Sequence, residues 1–150
     1  AKTYFSAFDG EWQGQFKSYS FDGRLLDSLN VHQSYSWQGN VQHGKFTETF
    51  SDGKIVTAEA KNFVRGDTLY CEVKKSNGES SLHFGTFNAG RLTWFRRDKK
   101  HGIEETFKEY VAQYEGLPTY FIDGFGIYGT GDHRMVYLFE GRYQKVNAGN

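Results

Sequence analysis

The chain has 150 residues, enough for one hydrophobic core and hardly for two, and its 18 basic and 18 acidic side chains cancel to zero formal charge. That balance lacks the basic footprint of a nucleic-acid binder and offers no attraction to an anionic membrane surface. Aromatic residues make up 18% while proline occurs once and hydrophobic residues reach only 37%, which suits long unbroken strands around a partly polar or partly empty interior.

No Pro-rich, Ser-rich or charged linker divides residues 1–150, so a single domain is expected. The one cysteine, Cys71, cannot form an internal disulfide and fits a reducing compartment. No apolar run approaches the ~20 residues that span a bilayer, and the first residues carry no signal-peptide apolar core. A cytoplasmic protein without membrane insertion is expected, with a processed secreted form left open; the oligomeric state is not specified.

Turn pairs recur along the chain, among them Asp22-Gly23, Gly39-Asn40, Asp52-Gly53, Gly66-Asp67, Asn77-Gly78 and Ala89-Gly90. Between such turns the alternation predicts strands at Glu11–Tyr19, Arg24–Trp37, Gln42–Ser51, Lys54–Arg65, Thr68–Lys75, Ser80–Asn88 and Arg91–Arg97. A final hairpin pairs Tyr120–Thr130 with His133–Val146. Ile103–Tyr114 reads two ways. Ile103, Phe107, Tyr110, Val111 and Tyr114 have helical spacing and would make a helix that caps a barrel mouth, but strand neighbours and short turns favour a strand. The predicted fold is all-β, an antiparallel up-and-down meander barrel of about eight to ten strands, because a long series of hairpins removes its edges by closing.

Candidate chemistry follows from strand parity, since alternate side chains face the lumen. Asp27, Glu59, Glu105 and Asp123 each share phase with apolar neighbours and are candidate lumen acids. Arg96, in phase with Leu92 and Trp94, is placed to select a carboxylate or enolate. Tyr35, Trp37, Phe84, Trp94, Phe107, Phe125, Tyr128, Tyr137 and Phe139 are the candidate ligand contacts. The five histidines lack metal-ligand spacing, so no metal site and no cofactor are expected; His32 and His83 are the strand-borne options for a haem ligand. No Gly-x-Ser-x-Gly elbow, phosphate-binding glycine loop or twelve-residue calcium loop occurs, and Cys71, in phase with Leu69 and Val73, reads as a small buried hydrophobe.

Phe8-Asp9-Gly10-Glu11-Trp12 resembles the Gly-x-Trp start of the first strand in calycins, the superfamily of lipocalins, fatty-acid-binding proteins and avidins. In that resemblance Arg142 of the last strand is expected to stack on Trp12 and close one barrel end. The tight turn Phe21-Asp22-Gly23-Arg24 stands where fatty-acid-binding proteins insert a helix pair, and the disulfides and C-terminal helix of secreted lipocalins are not evident. Short-connected strands look more like nitrobindin-type haem proteins and the bilin lyases of phycobiliproteins. Two functions are expected: a carrier or sensor for a small hydrophobic or polycyclic molecule, or a metal-free barrel enzyme (cyclase, isomerase or lyase) using Glu105, Asp123 or Arg96.

Overall fold

The computed structural model describes residues 1–146. A short helix α1 (Lys2–Phe5) runs into a 3₁₀ turn (Ser6–Phe8). Ten strands follow: β1 (Gly10–Ser20), β2 (Leu25–Gln38), β3 (Val41–Thr49), β4 (Ile55–Arg65), β5 (Thr68–Lys75), β6 (Ser80–Asn88), β7 (Arg91–Asp98), β8 (Ile103–Tyr114), β9 (Leu117–Tyr128) and β10 (Met135–Lys145). Each pairs antiparallel with its sequence neighbours, and β1 pairs with β10 from Trp12↔Lys145 to Ser20↔Tyr137, closing the barrel.

Residues 103–114 form a strand. They pair with both neighbours, from Asp98↔Ile103 on β7 to Tyr114↔Leu117 on β9, so the backbone groups that a helix would satisfy internally are used by two ladders. β9 begins at Leu117 rather than Tyr120; its proline, Pro118, stands next to the strand start, where a missing N–H is tolerated. A register shift beside Ser18 and Tyr19 sets Asp27 and Leu25 against them, skipping Leu26. Leu25 therefore leaves the inward phase of Leu29 and Val31 and is exposed.

No expected element covers residues 2–8, yet they close one end of the barrel. Phe5 is fully buried and Phe8 nearly so, packing with Trp12, Trp94, Tyr120 and Tyr143. Phe5 stacks on Trp94 at 6.2 Å, Phe8 meets Tyr120 at 4.9 Å, and Trp12 Nε1 donates to the Phe8 carbonyl at 2.9 Å. Truncation Phe5→Ala is expected to cost about 3–5 kcal/mol in urea unfolding, the range for emptying a fully packed aromatic site. In the two-residue β6–β7 turn Ala89 has φ +51°, a conformation that disfavours a Cβ. Ala89→Asn is expected to stabilise the protein by about 0.5–1 kcal/mol in the same assay, because asparagine tolerates this turn position.

Candidate functional site

Closure with strict alternation puts every second side chain into the lumen. The plug seals one end, and the opposite end carries the partly exposed Glu48, Lys75, Arg96 and Tyr137. Between them lies a cavity of about 390 Å³. Phe16 and Phe139 stack at 5.7 Å, Phe139 meets Phe107 at 5.6 Å, and Phe107 meets the edge of His83 at 6.0 Å, so four rings run along its wall. Leu29, Val31, Ala58, Val73 and Ile122 line other parts of it. Larger depressions of about 510 and 600 Å³ around Gln13, Gln15 and Gln144 lie on the outer face and are lined mainly by amides, hydroxyls and charged groups.

The room for these rings comes from inward glycines. A Cβ at Gly124 would approach Phe107 Cδ1 to 2.6 Å, and one at Gly126 would approach the Tyr128 hydroxyl to 2.5 Å. The glycines between Asp123 and Ile127 are therefore the lumen positions, and the phenylalanine between them is not. The inward placement expected of Phe125 is corrected: it is 46% exposed on the outer face. Phe84 is corrected likewise, because His83 and Gly85 take the inward phase of β6 and Phe84 stays 46% exposed against Phe95 at 5.3 Å.

Asp123 and Glu59 also point outward. Asp123 alternates with Gly124 and Ile122 and pairs with Arg142 at 2.8 Å; Glu59 alternates with the buried Ala58 and Ala60. Asp27 is half-buried at the start of β2 and accepts from the Ser28 N–H at 2.9 Å. The expected Arg142–Trp12 stack is corrected too. Arg142 pairs with the outward Gln15 and covers Phe121 at 4.9 Å, whereas Lys145, directly opposite Trp12, places its ammonium 5.5 Å over the indole.

Glu105 and Arg96 meet at the mouth. Arg96 Nε donates to Glu105 Oε1 at 2.7 Å, the Tyr128 hydroxyl donates to Oε2, and His83 Nε2 stands 3.6 Å from Oε1, beyond hydrogen-bond range. Burial would raise the Glu105 pKa, but the contacts from His83, Tyr128 and Arg96 outweigh it and hold the carboxyl at about 2. Burial and the same carboxylate push the Tyr128 phenol upward. Tyr137 stacks beside Tyr128 at 5.5 Å. Of the two haem-ligand options, His32 lies on the outer face with Nε2 2.8 Å from Glu11. His83 is inside, and its buried Nε2 has no hydrogen-bond partner among the described residues.

Deeper in the lumen lies Glu109. Trp94 Nε1 donates to its Oε2 at 2.6 Å and the Tyr120 hydroxyl to its Oε1 at 3.0 Å, while burial still pushes its pKa above the usual carboxylate range. Burial also raises Tyr35 and Cys71, both on this wall. At the floor one Asp9 oxygen accepts from Trp37 Nε1 and from Gln42 Nε2, each at 2.8 Å. Trp37 thus belongs to the floor's scaffold. Three inward polar residues stand outside the sequence expectations: Gln33 and Asn62 break otherwise apolar inward phases, and Glu109 follows Glu105 and Phe107 on the inward phase of β8.

No family model and no curated protein matches the chain. Among solved structures it is similar to the S-type phycobiliprotein lyase CpeS from Guillardia theta, with a TM-score of 0.71 at 6% identity, over 98% of this chain and 93% of that one. It is also similar to Rv2717c from M. tuberculosis, with a TM-score of 0.65 at 8% identity, over 97% of each chain. At these identities the likeness speaks for the fold alone, a closed ten-stranded antiparallel up-and-down barrel.

Proposed function

We propose that this protein binds a small, largely apolar molecule, extended or polycyclic, inside the barrel, admitted at the mouth opposite the amino-terminal plug. The observation that carries this reading is the ring-walled cavity of about 390 Å³. It falls in the ~300–1,000 Å³ range of small-molecule sites. Burial of apolar surface supplies the driving force, at about 25 cal/mol per Å². Arg96 engages Glu105 through Nε, leaving its two terminal nitrogens without a hydrogen-bond partner among the described residues. At the rim they suit a carboxylate, sulfonate or enolate on the ligand.

The mouth cluster itself is ill suited to general acid–base chemistry. Proton transfer is most effective when the pKa lies near the working pH, and a carboxylate held at about 2 beside a phenol pushed upward is a poor base with a poor acid. Such a cluster holds and orients.

The test uses 8-anilinonaphthalene-1-sulfonate, whose aromatic body and anion match the cavity and Arg96. Wild-type protein is expected to enhance its fluorescence with saturation at one dye per chain. Ala58→Phe, which fills the lumen from β4, is expected to weaken binding at least about tenfold with an unchanged circular dichroism spectrum. Undiminished binding to the filled variant places the dye on the outer face and overturns the reading.

The mouth cluster also sets an acid-stability profile. Because the folded pKa of Glu105 is depressed from 4.5 to about 2, its contribution is present above the ordinary carboxylate value and is lost as pH falls through about 2. Glu105→Gln is expected to cost about 2 kcal/mol at pH 7, after a discount for partial exposure. In urea unfolding across pH, its deficit against wild type closes between 4.5 and about 2.

A further inference from the structure

The lumen floor carries a polar atom with no protein partner. Asn62 is 6% exposed, its side chain lines the cavity, and its Oδ1 accepts no hydrogen bond among the described residues. A buried carbonyl left this way bears the full desolvation of the group, so an occupant that supplies a donor is favoured over one that does not.

The sign of that atom is fixed by its neighbours. Gln42 Nε2 donates to the Phe5 carbonyl at 2.9 Å and to Asp9 Oδ1 at 2.8 Å, two oxygens that only accept. Gln42 must therefore turn its Oε1 the other way, where it accepts from Asn62 Nδ2 at 2.9 Å. Flipping Asn62 would oppose two carbonyl oxygens, so the oxygen is what the cavity meets. The polarity runs from the Asp9 carboxylate through two amides to the wall of the lumen.

We infer that Asn62 is a specificity-determining residue of the lumen, accepting a hydrogen bond from an N–H or O–H at the buried end of an apolar ligand and discriminating against the same frame without that donor. The inference rests on the lumen-binding reading and adds the chemistry of the ligand's inner end. Ala58 and Val73 on the same wall offer only apolar contact, and Cys71, opposite Asn62 on β5, is at most a weak partner. A frame lacking the donor expels solvent from the oxygen and strands it; a frame carrying the donor replaces the bond.

Carbazole and fluorene test this, being fused tricycles of one shape that differ by N–H against CH₂, with N-methylcarbazole as the capped control. In fluorescence titrations the wild-type protein is expected to bind carbazole about tenfold more tightly than fluorene or N-methylcarbazole. Asn62→Leu is expected to reduce that preference to within about twofold by weakening carbazole, with circular dichroism reporting the fold. Equal binding of the three tricycles to wild type overturns the inference, whether or not the leucine variant folds, and so does a preference that survives in a folded leucine variant. If 8-anilinonaphthalene-1-sulfonate enters the lumen but no tricycle binds, the inference falls alone. If the dye does not enter either, the lumen-binding reading falls with it.

Discussion

One oxygen of Asp9 holds the floor of this barrel. It accepts from the Trp37 indole on β2 and the Gln42 amide on β3, and it stands directly after the helix and turn that carry Phe5 and Phe8. Those bonds tie the plug to the wall at a point where every polar group must find a partner or bear a desolvation penalty. With the plug fixed, one barrel end is solid and the other carries the partly exposed Glu48, Lys75, Arg96 and Tyr137. The same oxygen orients Gln42, and through it Asn62, so the mechanical closure of the floor and its hydrogen-bonding character have one origin.

The fold was legible because pleat and turn chemistry are local. Asp-Gly and Asn-Gly pairs at short intervals give hairpins, and a meander without a long connection closes with neighbours in sequence order. Even the ambiguous stretch at 103–114 resolves by the same logic, since a helix there would leave β7 and β9 with bare edges. The amino-terminal plug was not legible. Seven residues show too little periodicity to declare a helix, and Phe5 and Phe8 turn inward because a finished barrel offers them a place.

The site was legible only where phase was unbroken. Glu105, Arg96 and Phe139 follow simple alternation and lie where parity puts them, whereas Tyr128 shares the phase of Gly124 and Gly126. Phe125 and Asp123 fail because Gly124 and Gly126 look like gaps in a strand, whereas they are the inward positions, kept bare so that Phe107 and Tyr128 can lie across them. The floor acceptor fails for another reason. A lone asparagine among Val56, Ala58, Ala60 and Val64 looks like an exception to a pattern, and its role comes from Gln42 and Asp9, which are distant in sequence and meet only after closure.

The seam between β1 and β10 joins the first and last strands, and Phe16 and Phe139, which stack across it, both line the cavity. A chain lacking its last strand has neither an enclosed bore nor a second ring to rest a guest against. On the lumen-binding reading proposed above, a molecule resting on both rings bridges the joint, so its release and the parting of the seam are linked events and occupancy raises resistance to unfolding by mass action.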